Sequence, residues 1–100
     1  MSSRDQLGSA DRVEAAAVAG ALASVVRSLA LKLAPQQIRV NLIAPGDPAA
    51  GDVRSLLPKP VAVEDVAATA AFLADPRSSY ITGQILFCCG GSSLLSSLSV

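Results

Sequence analysis

Residues 27–46, RSLALKLAPQQIRVNLIAPG, constrain the fold more than any other stretch. An apolar helical run reaches Ala34-Pro35, where proline forbids continuation. A short turn then leads into IRVNLIA, residues 38–44, apolar at nearly every position with Asn41 in the middle. Short, almost continuous β-branched runs mark strands buried on both faces, and Pro45-Gly46 ends this one. A buried strand fed directly by a helix is one step of a parallel-sheet protein.

The flanks extend that step. Residues 1–10 are polar and aperiodic and read as a flexible leader. Asp11 lies three positions before Glu14, the spacing of a capping box, and strong helix formers run from Val13 to Lys32. Lys32 in the last turn complements the helix dipole. Charge interrupts this helix only at Glu14, Arg27 and Lys32, so most of its circumference seeks burial. Ala16, Gly20 and Ser24 recur every fourth residue and predict the close approach of another backbone. Such a helix packs either on its own sheet alone or, with its second apolar face, also against a partner subunit.

After Gly46, a loop over residues 46–60 holds Gly51, Pro48, Pro58 and Pro60. A second helix is predicted over residues 63–74, with Val63, Val66, Ala67, Ala70 and Ala74 as its apolar face, Glu64 and Asp65 in its first turn, and Asp75-Pro76 at its end. A second strand runs from Gln84 to Cys88 or Cys89 and stops at Gly90-Gly91. The predicted class is α/β, in the order helix, strand, helix, strand, with a parallel crossover. Residues 11–91 form one segment and residues 92–100 a tail.

Composition narrows function mainly by exclusion. Eight basic and eight acidic residues cancel, and no basic cluster stands ready for nucleic acid or an anionic membrane. Residues 15–26 carry no charge but are too short to span a bilayer, and Gly90-Gly91 interrupts the uncharged stretch 78–100. Cys88 and Cys89 are adjacent, a spacing that strains a disulfide, and read as reduced core residues of a cytoplasmic protein. With no histidine and no second cysteine pair, no metal site is predicted. Asp47 and Asp52 read as solvated loop carboxylates, and Tyr80 as a packing residue.

Five pieces together resemble the C-terminal part of a short-chain dehydrogenase/reductase, a Rossmann-like fold. They are Arg27-Ser28-Leu29-Ala30 with Lys32-Leu33-Ala34-Pro35; Ile38-Arg39-Val40-Asn41 with Ala44-Pro45-Gly46; Glu64-Asp65-Val66-Ala67 with Phe72-Leu73; Tyr80-Ile81-Thr82-Gly83-Gln84; and Gly90-Gly91. The resemblance covers about 75 residues in order and spacing. It implies an NAD(P)-dependent oxidoreductase whose Tyr-x-x-x-Lys motif opens the first of these helices.

Residue by residue, that motif falls on Ala15 and Ala19, followed by Gly20-Ala21-Leu22. Alanine neither moves a proton nor holds a ribose hydroxyl. The family's catalytic serine and glycine-rich dinucleotide fingerprint have no counterpart in these residues. Of the cofactor site only the Pro45-Gly46 corner remains. Beyond it, Pro48 and Ala50 replace an amide donor and a threonine, and Cys89 stands where an Asp often precedes Gly-Gly. Taken alone the chain is predicted to be inactive and to hold no cofactor, a pseudoenzyme, with NAD or NADP carried by a partner subunit.

Family members form dimers and tetramers through the equivalents of the helix at 13–33 and of the last helix and strand. The expected role is therefore a noncatalytic subunit docking on a homologous catalytic chain, or on itself. The alternative is a C-terminal segment that acts only with a separate nucleotide-binding portion, or an inactive remnant.

Overall fold

The computed structural model describes residues 13–46, 56–57 and 59–94. The leader, Asp11, Asp47, Pro48, Ala50, Gly51, Asp52, Pro58 and residues 95–100 lie outside them. Helix α1 (Val13–Leu33) passes through a 3₁₀ turn (Ala34–Gln36) to strand β1 (Leu42–Pro45). Helix α2 (Val63–Ala74), a second 3₁₀ turn (Pro76–Ser78) and strand β2 (Ile85–Cys88) follow, and a third 3₁₀ turn covers Ser92–Leu94. The two strands pair in parallel, with Leu42 opposite Ile85 and Pro45 opposite Cys88. The predicted α/β class and element order are those observed.

Alternation along the strands assigns the faces. Leu42 packs with Ala23 and Val26 of α1, and Val40 and Ile85 complete this small cluster. On the opposite face, Cys88 meets α2 through Thr69, whose hydroxyl donates to Sγ at 3.7 Å. The helices thus cover opposite faces of the sheet. Ala19, Ala23, Val26 and Ala30 form the buried stripe of α1.

Three expectations are corrected. The first strand begins at Leu42 rather than Ile38. Its partner segment turns at Gly83, whose φ of +72° is open to glycine and strained for other residues, so no regular ladder forms before Leu42. Residues 38–41 are tied across by side chains and one isolated backbone bond instead. The Val40 amide donates to Thr82 Oγ1 at 3.1 Å, and the Gly83 amide to the Val40 carbonyl at 2.8 Å.

Among the described residues of this chain nothing approaches the stripe Ala16, Gly20 and Ser24, where a Cβ built on Gly20 meets no atom within 4 Å, so the stripe stays open to a partner. The apolar face assigned to α2 lies mostly in solvent: Val63, Ala67, Ala70 and Ala74 are exposed, and Asp65, Val66, Thr69 and Leu73 are its half-buried side. Two strands are too narrow to cover the wider face. Tyr80 is 91% exposed rather than packed. The turn buries Ser78 in its place, with the Ser78 hydroxyl donating to the Phe72 carbonyl.

Local signals set the element ends. The α1 exit closes with Gln37 in the left-handed region (φ +59°), its amide donating to the Ala34 carbonyl at 2.9 Å. At the α2 entry the Asp65 carboxylate accepts the Ala62 amide at 2.9 Å, as an acid in the first turn should. Asp75 caps the next turn by accepting the Arg77 amide at 2.8 Å.

Candidate functional site

The carboxyl ends of parallel strands are where open α/β sheets bind ligands. Here that end is built from Pro45-Gly46 after β1 and Cys89-Gly90-Gly91 after β2. The two corners touch: the Gly46 amide donates to the Cys88 carbonyl at 3.0 Å, and a Cβ on Gly46 would lie 3.4 Å from the Cys89 Cα. Gly91 has φ +87°, and a Cβ there would meet Leu56 at 2.8 Å, so only glycine lets residues 56–57 lie across the corner. The Leu56 and Leu57 amides both donate to the Gly90 carbonyl, at 2.8 and 3.0 Å. A cavity of about 330 Å³ opens beside it, lined among others by Leu57, Lys59, Asp65, Thr69 and Cys88.

Cys89 is the buried polarisable group of this corner. Its thiol donates to Ser93 Oγ at 3.3 Å and accepts the Ser93 amide at 3.4 Å. Burial alone pushes the thiol up. Hydrogen bonds from Ser93, from the Ser92 side chain and from the Gly91 backbone outweigh burial and hold it below its ordinary value. Cys88 and Cys89 are both free thiols, Cys88 half-buried. The residues after Gly91 thus belong partly to the site, since the Ser92–Leu94 turn carries the donors. Sequence reasoning read residues 92–100 as an aperiodic tail and missed Ser92 and Ser93. The available signal was Cys89 standing in an acceptor's place before Gly-Gly.

Ala15 and Ala19 lie in the first two turns of α1, Ala15 half-buried and Ala19 only 4% exposed. They sit on a different element from the corner and bring no polar side chain to it. Pro45 has no amide hydrogen and the Gly46 amide is already committed to Cys88, so neither of these two residues has a backbone donor to spare. The α2 N-terminus is occupied by its own acids, Glu64 and Asp65, which oppose an anion there. No group of three or more potential metal ligands occurs among the described residues.

The sheet itself carries a second open feature. Leu42 and Gly46 donate across to Gln84 and Cys88, so the period of two turns the backbone groups of Ile43 and Pro45 to the other edge of β1. A groove of about 360 Å³ runs beside it, lined by Arg39, Asn41, Ile43, Ala70, Leu73 and Ala74.

Comparison with known proteins places this geometry. The family profile described as Enoyl-(Acyl carrier protein) reductase matches residues 49–93. Subunits BbsD and BbsC of (2S)-[(R)-hydroxy(phenyl)methyl]succinyl-CoA dehydrogenase from Thauera aromatica are 33% and 37% identical, each over 94% of this chain. The match spans 43% and 42% of their lengths. A solved structure of the Serratia marcescens short-chain dehydrogenase/reductase superimposes with a TM-score of 0.80 at 27% identity, covering 92% of this chain and 43% of that one. The chain spans less than half the length of these relatives.

Proposed function

This chain carries the C-terminal part of the short-chain dehydrogenase/reductase fold and belongs to that family; on that premise we propose that it is a noncatalytic subunit that docks on a catalytic relative. The observation that carries the reading is the open edge of β1. A parallel sheet is normally buried on both faces and continued at its edges. Here Ile43 and Pro45 present backbone groups outward beside the groove lined by Arg39 and Leu73. A strand or loop of a relative docks along this edge. Two of the matched relatives are named as subunits of one dehydrogenase, which supports an assembled form.

Noncatalysis rests on Ala15 and Ala19, where the family resemblance expects the proton donor and its lysine, and on a Pro45-Gly46 corner with no amide to spare. NAD or NADP belongs to the partner in this reading. The two free thiols suit a cytoplasmic setting. The relatives' greater length supports a second reading, in which the chain completes an oxidoreductase only with a separate nucleotide-binding portion.

Native mass spectrometry of the chain mixed with a catalytic family member, with NAD(H) and NADP(H) added, tests both. A stable heteromeric complex whose cofactor tracks the relative is expected. Hydride transfer by the purified chain alone overturns the noncatalytic role. Activity that appears only when a nucleotide-binding portion without its own C-terminal segment is supplied establishes the second reading.

A further inference from the structure

Lys59, Asp65, Thr69, Cys88 and Cys89 line one cavity of about 330 Å³ between the end of β2 and the first turns of α2. The docking role uses none of them. Two free thiols beside a lysine make a nucleophilic cluster. Cys89 is only 8% exposed, so the cavity rather than the open surface gives access to it. We propose that Cys89 is a modification site, whose sulfur exchanges with the disulfide of an amino-acid thiol seated in this cavity.

The surroundings of the sulfur favour attack. The Ser93 amide donates to Sγ at 3.4 Å, and the Ser93 hydroxyl at 3.3 Å can turn from accepting the thiol proton to donating once the thiol ionises. Burial opposes the thiolate, and these donors, with those of Ser92 and Gly91, outweigh it. Among the described residues only the Thr69 hydroxyl meets the Cys88 sulfur, at 3.7 Å. The thiolate rather than the thiol attacks a disulfide, which directs the exchange to Cys89.

Charge selects the ligand. Lys59 is exposed and Asp65 half-buried on the same cavity, and neither forms an ion pair among the described residues. The Asp65 carboxylate is held in place by accepting the Ala62 amide at 2.9 Å. One positive and one negative group suit a zwitterion, its carboxylate towards Lys59 and its ammonium towards Asp65. The volume is that of a small-molecule site. In the exchange, the Cys89 thiolate attacks one sulfur of the bound disulfide. A new S–S bond to Cys89 forms as the old S–S bond breaks, and the departing thiolate takes that electron pair and a proton from water. Cys89 is oxidised, one half of the reagent is reduced, and the proton lost by Cys89 balances the one gained.

The exchange involves neither the β1 edge nor a catalytic relative, so it stands or falls separately from the docking role. Incubation of the full chain with glutathione disulfide should give one adduct that dithiothreitol removes. Fragmentation of the peptide after Arg77 should place it on Cys89, a readout that needs no variant. The rate should rise with pH about a midpoint below 9.0, the ordinary thiol value, and Ser93→Ala should move that midpoint upward. Lys59→Glu, at an exposed position, should slow glutathione disulfide about 10-fold at low salt and leave neutral bis(hydroxyethyl) disulfide unchanged. Cystine carries the same zwitterion, and the faster of the two reagents identifies the source.

An unmodified chain overturns the proposal, as does an adduct on Cys88. Equal slowing of the neutral and zwitterionic reagents by Lys59→Glu overturns the assigned ligand class.

Discussion

Asn41 and Gln84 join the two strands just before their ladder begins. The Asn41 Oδ1 accepts the Gln84 amide at 3.0 Å, and its Nδ2 donates to the Ile81 carbonyl at 3.0 Å. One side chain thereby serves as a rung where Gly83 has turned the partner backbone out of register. Asn41→Ala removes both bonds and leaves the Ile81 carbonyl half-covered. A loss of about 1–2 kcal/mol is expected. Urea denaturation should show it as a lower midpoint with an unchanged slope, and Asn41→Asp should recover only the bond to Gln84.

Gln37 holds φ +59° at the exit of α1 while its side chain lies in solvent. A left-handed conformation costs a side-chain-bearing residue about 1 kcal/mol, which glycine avoids but partly repays in chain entropy. Gln37→Gly should therefore stabilise by roughly 0.5 kcal/mol, raising the thermal midpoint by a few degrees. A decrease would mean that the Gln37 side chain holds a contact in solution.

Cys89 links stability to pH. Its folded pKa is lowered from 9.0 because donors from Ser93, Ser92 and Gly91 outweigh burial. A depressed folded pKa contributes stability that is fully present above the unfolded value and lost as pH falls through the folded value. The unaltered chain should thus gain stability relative to Cys89→Ser as pH rises towards 9.0. Chemical denaturation of both proteins across that range checks the sign. Cys89→Asp, which offers the same donors a carboxylate, should remain folded at neutral pH.

Ala19 is almost fully buried, whereas Ala15 is half-buried one turn earlier. Placing the tyrosine and lysine that the resemblance expects at these positions is therefore unequal in cost. Ala19→Lys should destabilise by about 2 kcal/mol or more through overpacking and a buried amine. Ala15→Tyr should cost less than half of that. Thermal unfolding of the single variants measures the difference, and equal effects would contradict the burial of Ala19.

The element order and the α2 boundaries were legible in the sequence because they rest on local physics, and the family through the resemblance of five motifs in order and spacing. Pro35 and Pro45 stop elements, Asp65 caps α2, and the apolar run through Leu42 and Ala44 has room for nothing but a strand. That Ala15 has no proton to donate is likewise a fact of residue type.

What the tertiary structure decided is which apolar surface finds a neighbour. Composition gave α1 and α2 broad apolar faces, yet a two-stranded sheet covers only the Ala19–Ala30 stripe and leaves Val18, Leu22, Val25 and Leu29 in solvent. The start of β1 depended on Gly83, 43 residues beyond Val40, whose positive φ interrupts the regular ladder while its amide still reaches the Val40 carbonyl. The donors around Cys89 come from a turn without periodicity, invisible until the chain closed on itself. Burial and hydrogen-bond pairing are non-local, so residue identity sets what a surface wants and the fold alone sets what it receives.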